Sequence, residues 1–145
     1  MIVVDLNLLL YATNRDTAHH DAAREWWETA LSGKETVGMA WAVVLGFVRI
    51  STNARILPAP LAAKQAFAVV DEWLARPNVV LIEPTERHWG IVKDLLEPLG
   101  TAGNLTTDAH LAALAIERGA KLCSADRDFG RFPHLRWIDP LATSG

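Results

Sequence analysis

Four aspartates, Asp5, Asp108, Asp126 and Asp128, are placed where side chains distant in sequence could meet and do metal chemistry. Asp5 directly follows the apolar run Ile2-Val3-Val4. A carboxylate at the end of a buried strand is costly unless something pairs with it. Asp126 and Asp128 lie in Ser124-Ala125-Asp126-Arg127-Asp128-Phe129, just past another apolar segment, and Asp108 opens a helical pattern after Gly103-Asn104-Leu105-Thr106-Thr107. Each has a plain structural use. An aspartate in a first helical turn complements the helix dipole by ~0.3–1 kcal/mol, and Asp126 and Asp128 suit an Asx-type turn. The set says more than its members. Two carboxylates ~5 Å apart repel by roughly 3 kcal/mol at an effective dielectric of about 20. A cluster of three or more therefore needs a proton or a cation to persist. Oxygen ligands without His or Cys suit Mg²⁺ or Mn²⁺ better than Zn²⁺. Such ions activate water and offset charge on a phosphodiester.

These residues can converge only if strands deliver them to one edge. Residues 2–4 read as a buried strand ending at Asp5, with a short helix or turn over 6–12. Thr17 is a candidate N-cap for a helix over 18–31 that Gly33 closes. A second strand is expected over 36–39 and a buried helix over 41–51. Phe67, Val70 and Leu74 form the predicted stripe of an amphipathic helix over 61–74. A buried strand over 78–82 precedes a helix capped by Thr85 and ending near Leu96. A helix over 108–118, stopped by Gly119, leads to a strand over 120–124, and a last short strand is expected over 135–138. Strands alternating with helices imply βαβ units and a mostly parallel sheet. In such sheets ligands bind beyond the carboxyl ends of the strands, where Asp5, Asp126 and Asp128 are expected.

The 145 residues are close to the ~150 of one domain, so a single α/β domain over 1–145 is expected. The composition, 50% hydrophobic and 21% charged, excludes a disordered chain. A net charge of −3 does not advertise a nucleic-acid binder, although a site made of carboxylates is itself acidic. The lone Cys123 excludes an internal disulfide and reads as a buried, inert thiol. No basic region precedes the apolar N-terminal run, and no run approaches the ~18 residues of a membrane span, which predicts a cytoplasmic protein.

Other residues carry weaker signals. His19 and His20 are adjacent, and neighbours on a helix point apart, so they make a poor chelate. His88 and His110 read as lone histidines, His110 near enough to Asp108 to meet a substrate. The six Trp residues read as core or interface anchors, because no basic residues interleave with them as a stacking groove requires. Arg15, Arg49, Arg127 and Arg131 flank the acidic motifs, and Arg49 and Arg127 are the candidate phosphate contacts.

Asp5-Leu6-Asn7-Leu8-Leu9, Val48-Arg49-Ile50-Ser51-Thr52-Asn53, Asp108-Ala109-His110-Leu111-Ala112-Ala113 and Ser124-Ala125-Asp126-Arg127-Asp128-Phe129, in this order, resemble a PIN domain of the VapC toxin type. The resemblance spans nearly the whole chain. It implies a Rossmann-like three-layer α/β/α fold and a Mg²⁺-dependent endoribonuclease, with Mn²⁺ as a substitute ion. It implies a toxin neutralised by a VapB-like antitoxin, and a homodimer. Asp5, Asp108 and Asp126 are then the catalytic acids and, with Asp128, the metal ligands, while Asn7 supports the first aspartate. The chain departs from the pattern at Gly46, where the family commonly has Glu, and spacing alone recruits none of Glu25, Glu28 or Glu35 instead. That departure motivates an alternative: a catalytically weakened PIN domain that binds RNA or an antitoxin. A phosphatase of the haloacid-dehalogenase type would want a second Asp at position 7, which is Asn.

Overall fold

The computed structural model describes residues 1–142. Five strands, β1 (Ile2–Val4), β2 (Val37–Ala40), β3 (Val79–Ile82), β4 (Lys121–Cys123) and β5 (Trp137–Ile138), form one parallel sheet in the order β3-β2-β1-β4-β5. Six α-helices connect them: α1 (Leu6–Thr13), α2 (His20–Ser32), α3 (Trp41–Ser51), α4 (Ala63–Leu74), α5 (His88–Leu96) and α6 (Thr106–Glu117). Parallel crossovers are right-handed. The connections β1→β2 and β2→β3 both step toward one edge, so α1–α4 share a face; β3→β4 steps back, so α5 and α6 cover the other. The contacts α1 with α2 and α3, α3 with α4, and α5 with α6 agree with these two layers. This is the expected α/β/α architecture.

The order in which strands are added across the sheet reverses at β1, which lies between β2 and β4. The crevice beyond the carboxyl ends of β1 and β4 is therefore the topological switch point, where α/β sheets bind ligands. The register pairs Ile2 with Lys121, Val3 with Leu122 and Val4 with Cys123. One step further, Asp5 lies beside Ser124, and the Asp5 amide donates to the Cys123 carbonyl at 2.9 Å.

Several boundaries and faces differ from expectation. Thr17 and Thr85 do not cap the helices directly: their hydroxyls accept from the His19 and Arg87 amides, so α2 and α5 begin at His20 and His88. The strand over 78–82 is not buried throughout; β3 lies at the sheet edge, and Val80 and Leu81 are exposed. The helix over 41–51 buries Val43, Val44 and Phe47 but exposes Trp41 and Leu45. In α4 the buried stripe is Ala66, Val70 and Trp73, and Phe67 is exposed. Trp73 wins because its ring packs 4.8 Å from Phe47 and 5.6 Å from Trp27, centroid to centroid, joining α4 to two other helices. Gly119 stops α6 with φ 60, a left-handed turn that glycine takes without strain. No described helix is long and apolar enough to cross a membrane.

Candidate active site

Asp5 ends β1 and caps α1 in one step. Its backbone is extended, and its Oδ1 accepts from the Leu6 amide at 2.7 Å. Its Oδ2 accepts from the Ser124 hydroxyl at 2.7 Å. Asp5 is 9% exposed and Ser124 is fully buried. Burial pushes the Asp5 carboxyl above its ordinary range, the Ser124 and Leu6 hydrogen bonds pull it down, and the charge on Asp126 pushes it up again.

Ser124 is the hub that residue-by-residue reading missed. Its hydroxyl donates to Asp5 and accepts from Asn7 Nδ2 at 3.3 Å and from the Asp126 amide at 3.0 Å. Asn7 Oδ1 accepts from the Ala125 amide at 3.5 Å. Asn7 thus reaches Asp5 through Ser124 rather than directly. Behind this hub the Trp137 indole donates to the Ser124 carbonyl at 2.9 Å, tying β5 to it. The one available signal was positional: a small hydroxyl residue at the end of a strand that leads into the Asp126 turn.

Asp108 lies in the first turn of α6, whose N-terminus faces the strand ends. Asp126 caps the 3-10 turn Arg127–Arg131, its Oδ1 accepting from the Asp128 amide at 2.9 Å. The Asx-type turn and the acidic cluster are therefore the same structure. Asp108, Asp126 and Asp128 each offer a carboxylate oxygen within 4.8 Å of the others, and all three are half-buried. Burial, and then the charges of Asp126, Asp5 and Asp128, push the Asp108 carboxyl up to about 6. Asp5 is thus close enough to act on Asp108 through its charge, although it stands outside the tight group of three. Three oxygens at this spacing match the scale of an octahedral shell, whose opposite ligands lie about 4.2 Å apart for Mg²⁺. The donor set is hard, anionic and all-oxygen, so these residues fit a small divalent cation.

Gly46 packs against Leu6. A Cβ there would lie 2.8 Å from Leu6 Cδ2, so the Leu6 side chain fills the space a larger residue would need. The earlier glutamates are engaged or turned elsewhere. Glu28 pairs with Arg24 at 3.1 Å, Glu35 with the N-terminal amine at 3.5 Å beside the start of β1, and Glu25 is exposed on α2.

Arg49 and Arg127 are exposed and make no ion pair among the described residues, whereas Arg131 lies 3.7 Å from Asp128. The two histidines read as solitary are not. His88 Nε2 and His110 Nδ1 are 2.8 Å apart, and His88 Nδ1 lies 2.7 Å from the fully buried carboxylate of Glu117. This chain joins α5 to α6; nothing marked it in sequence, since its members lie 22 and 29 residues apart. His20 Nδ1 lies 2.9 Å from the Tyr11 carbonyl, and the His19 ring packs tilted against that of Tyr11 with centroids 4.8 Å apart, so the two are not arranged as a chelating pair. Trp27 and Trp73 are core, and Trp41 and Trp89 are exposed. Cys123 is buried, and burial, reinforced by Glu35, pushes its thiol up to about 11.

A family model described as the PIN domain matches residues 2–135. The chain is 47% identical over 142 residues to ribonuclease VapC37 of Mycobacterium tuberculosis, covering 98% of this chain and 99% of that protein. It is 47% identical over 141 residues to ribonuclease VapC33 of the same organism, covering 97% and 99%. Among solved structures, VapBC2 from Rickettsia felis, bound to a DNA fragment from its promoter, superposes with a TM-score of 0.70 at 22% identity, over 95% of this chain and 98% of that one, a likeness of fold. Motif order, the switch-point acids and near-complete coverage agree: the chain belongs to the PIN-domain family, in its VapC branch.

Proposed function

We propose that the chain is a metal-dependent endoribonuclease, the toxic half of a VapBC-type toxin–antitoxin pair, acting on RNA in the cytoplasm. The observation that carries this reading is the convergence of Asp108, Asp126 and Asp128 beside Asp5 at the switch point, in a chain so similar to proteins named ribonucleases. Asp5, Asp108, Asp126 and Asp128 would hold Mg²⁺, with Mn²⁺ as a substitute. When bound, such an ion supplies an acidified water and a countercharge for the phosphodiester.

The chain's own residues do the rest. Asp108, with its carboxyl at about 6, is mostly ionised at pH 7 and ready to ligate. Ser124 fixes the rotamer of Asp5, and Asn7 fixes Ser124. The Asp128 amide orients Asp126. Arg49 and Arg127, free of ion pairs among the described residues, contact substrate phosphates and draw RNA toward an otherwise acidic edge. A VapB-like antitoxin and a second copy of the chain are the proposed partners; VapBC complexes are among the structures that share this fold.

The test is cleavage of single-stranded RNA by the purified chain. Asp5→Ala abolishes both cleavage and growth inhibition on expression without an antitoxin. Full toxicity of that variant overturns the assignment. The binding-only reading predicts instead that the wild type cleaves nothing while Gly46→Glu gains Mg²⁺-dependent cleavage.

A further inference from the structure

The His110–His88–Glu117 chain is not part of the aspartate cluster, and the proposed reaction makes no use of it. Its anchor is Glu117, whose carboxylate is fully buried. One Glu117 oxygen lies 2.7 Å from His88 Nδ1; the other accepts from the Thr85 amide at 3.2 Å and lies 3.4 Å from Arg118 Nη1. A carboxylate held this way only accepts, so His88 Nδ1 carries the proton and His88 Nε2 presents a bare lone pair. That nitrogen lies 2.8 Å from His110 Nδ1. The His110 ring is half-buried and has no other hydrogen bond among the described residues. His88 is therefore the fixed ring and His110 the adjustable one.

Two features of this pair are those of a transition-metal site. A ligating histidine characteristically donates its second ring N–H to a carboxylate, which fixes the tautomer and raises the basicity of the bare nitrogen. Glu117 does this for His88. The spacing fits as well. Nitrogens bound at ~2.0–2.1 Å and at right angles lie about 2.9 Å apart, whereas a tetrahedral ion separates them by about 3.3 Å; the observed separation is 2.8 Å. The ring planes stand 77° apart, so two imidazoles can meet one ion without colliding face to face. Right-angled nitrogen donors suit Cu²⁺ or Ni²⁺. The ion replaces the hydrogen bond between the rings. The His110 ring turns about its Cβ–Cγ bond, and its Nδ1 proton passes through water to Nε2, so no net proton is lost. Water completes the coordination, since the His88 side chain keeps 14% of its surface exposed.

We propose that His88 and His110 form a second cation site, for a divalent transition-metal ion of the Cu²⁺ or Ni²⁺ kind, with Glu117 holding His88 in place. Its donors are nitrogens where the aspartates offer oxygens, and it does not depend on the nuclease reading. The bound ion ties α5 to α6.

The probe is Cu²⁺, titrated into the full chain labelled with ¹⁵N, with Mg²⁺ in large excess to occupy the carboxylates. At one equivalent, paramagnetic broadening is strongest at the amides of His88 and His110, weaker at Asp126 and Asp128, and weak at the surface pair His19 and His20. Electron paramagnetic resonance of the same sample shows imidazole nitrogens on the ion. His88→Asn and His110→Asn each lose the site, while His19 and His20, still present, show that other histidines do not supply it. Glu117→Gln keeps both ligands and weakens binding by about tenfold, the usual cost of losing a carboxylate behind a ligating histidine. Broadening centred on Asp126 and Asp128 or on His19 and His20 overturns the proposal, as does binding undiminished in His88→Asn, His110→Asn or Glu117→Gln. The absence of broadening at His88 and His110 when Cu²⁺ is in excess over the chain overturns it too. The broadening map needs only the wild type, so it decides the matter even where a variant fails to fold. RNA cleavage is not among the readouts, so failure of the nuclease reading leaves this result unchanged.

Discussion

Asp108→Asn is expected to stabilise the metal-free protein while destroying its metal site. Burial and three neighbouring aspartates move the Asp108 carboxyl from its ordinary 3.8 to about 6. The folded state therefore holds a proton that the unfolded chain has released between those values. A group shifted in this direction contributes stability that is complete below about pH 4 and is lost as pH rises through about 6. Undiminished, the gap corresponds to roughly 3 kcal/mol. Asp108 is only half-buried, so solvent screening reduces this to about 1 kcal/mol. Asparagine carries no charge and escapes the penalty. With a chelator present, urea or thermal unfolding should give equal stabilities for wild type and variant near pH 4. By pH 7 the variant should be ahead by about 1 kcal/mol, or about 2–4 °C in Tm. Added Mg²⁺ should reverse the order by stabilising only the wild type. A variant less stable than wild type at pH 7 without metal, or a difference that does not vary with pH, would refute the electrostatic argument.

Ser124→Ala removes a hydrogen bond to a buried carboxylate and two further contacts, and should cost about 1.5–3 kcal/mol in urea unfolding; a loss under about 0.5 kcal/mol would mean the hydroxyl is not what matters. Gly46→Glu should change stability by less than about 1 kcal/mol, because its Cβ displaces only the flexible end of the Leu6 side chain while the helix sheds a glycine; a loss above about 3 kcal/mol would mean that Leu6 cannot yield. Cys123 should resist iodoacetamide in the native protein at pH 8 and react only on unfolding, since its thiol is buried and pushed up to about 11; rapid native alkylation would count against its placement.

The acids of the site were legible because each ends or opens an element whose identity apolar runs and turn residues announce. Asp5 after Ile2-Val3-Val4 is the clearest instance. The rule that α/β sheets bind ligands at their carboxyl edge then gathered them before any coordinates. What stayed hidden depends on register and packing partners. Ser124 becomes a ligand of Asp5 only because β1 and β4 pair with Val4 opposite Cys123. The His110–His88–Glu117 chain exists only because α5 lies against α6. Phe67 and Trp73 both fit helical spacing, and the choice fell to Trp73 because Phe47 and Trp27 await it. Exposure of Val80 and Leu81 followed from β3 being an edge strand, which an apolar run alone does not reveal.

Everything turns on whether repelling aspartates trade a proton for a divalent ion. Calorimetric titration of Mn²⁺ into the purified chain, repeated in buffers of different ionisation enthalpy, counts the protons released. At pH 6 about half a proton should leave Asp108 with each ion bound. That contribution should fall toward zero by pH 7.5 and be missing in Asp108→Asn, any release that remains coming from Asp5, whose carboxyl burial also pushes up. No binding, or a proton count indifferent to pH and to that substitution, would contradict the account.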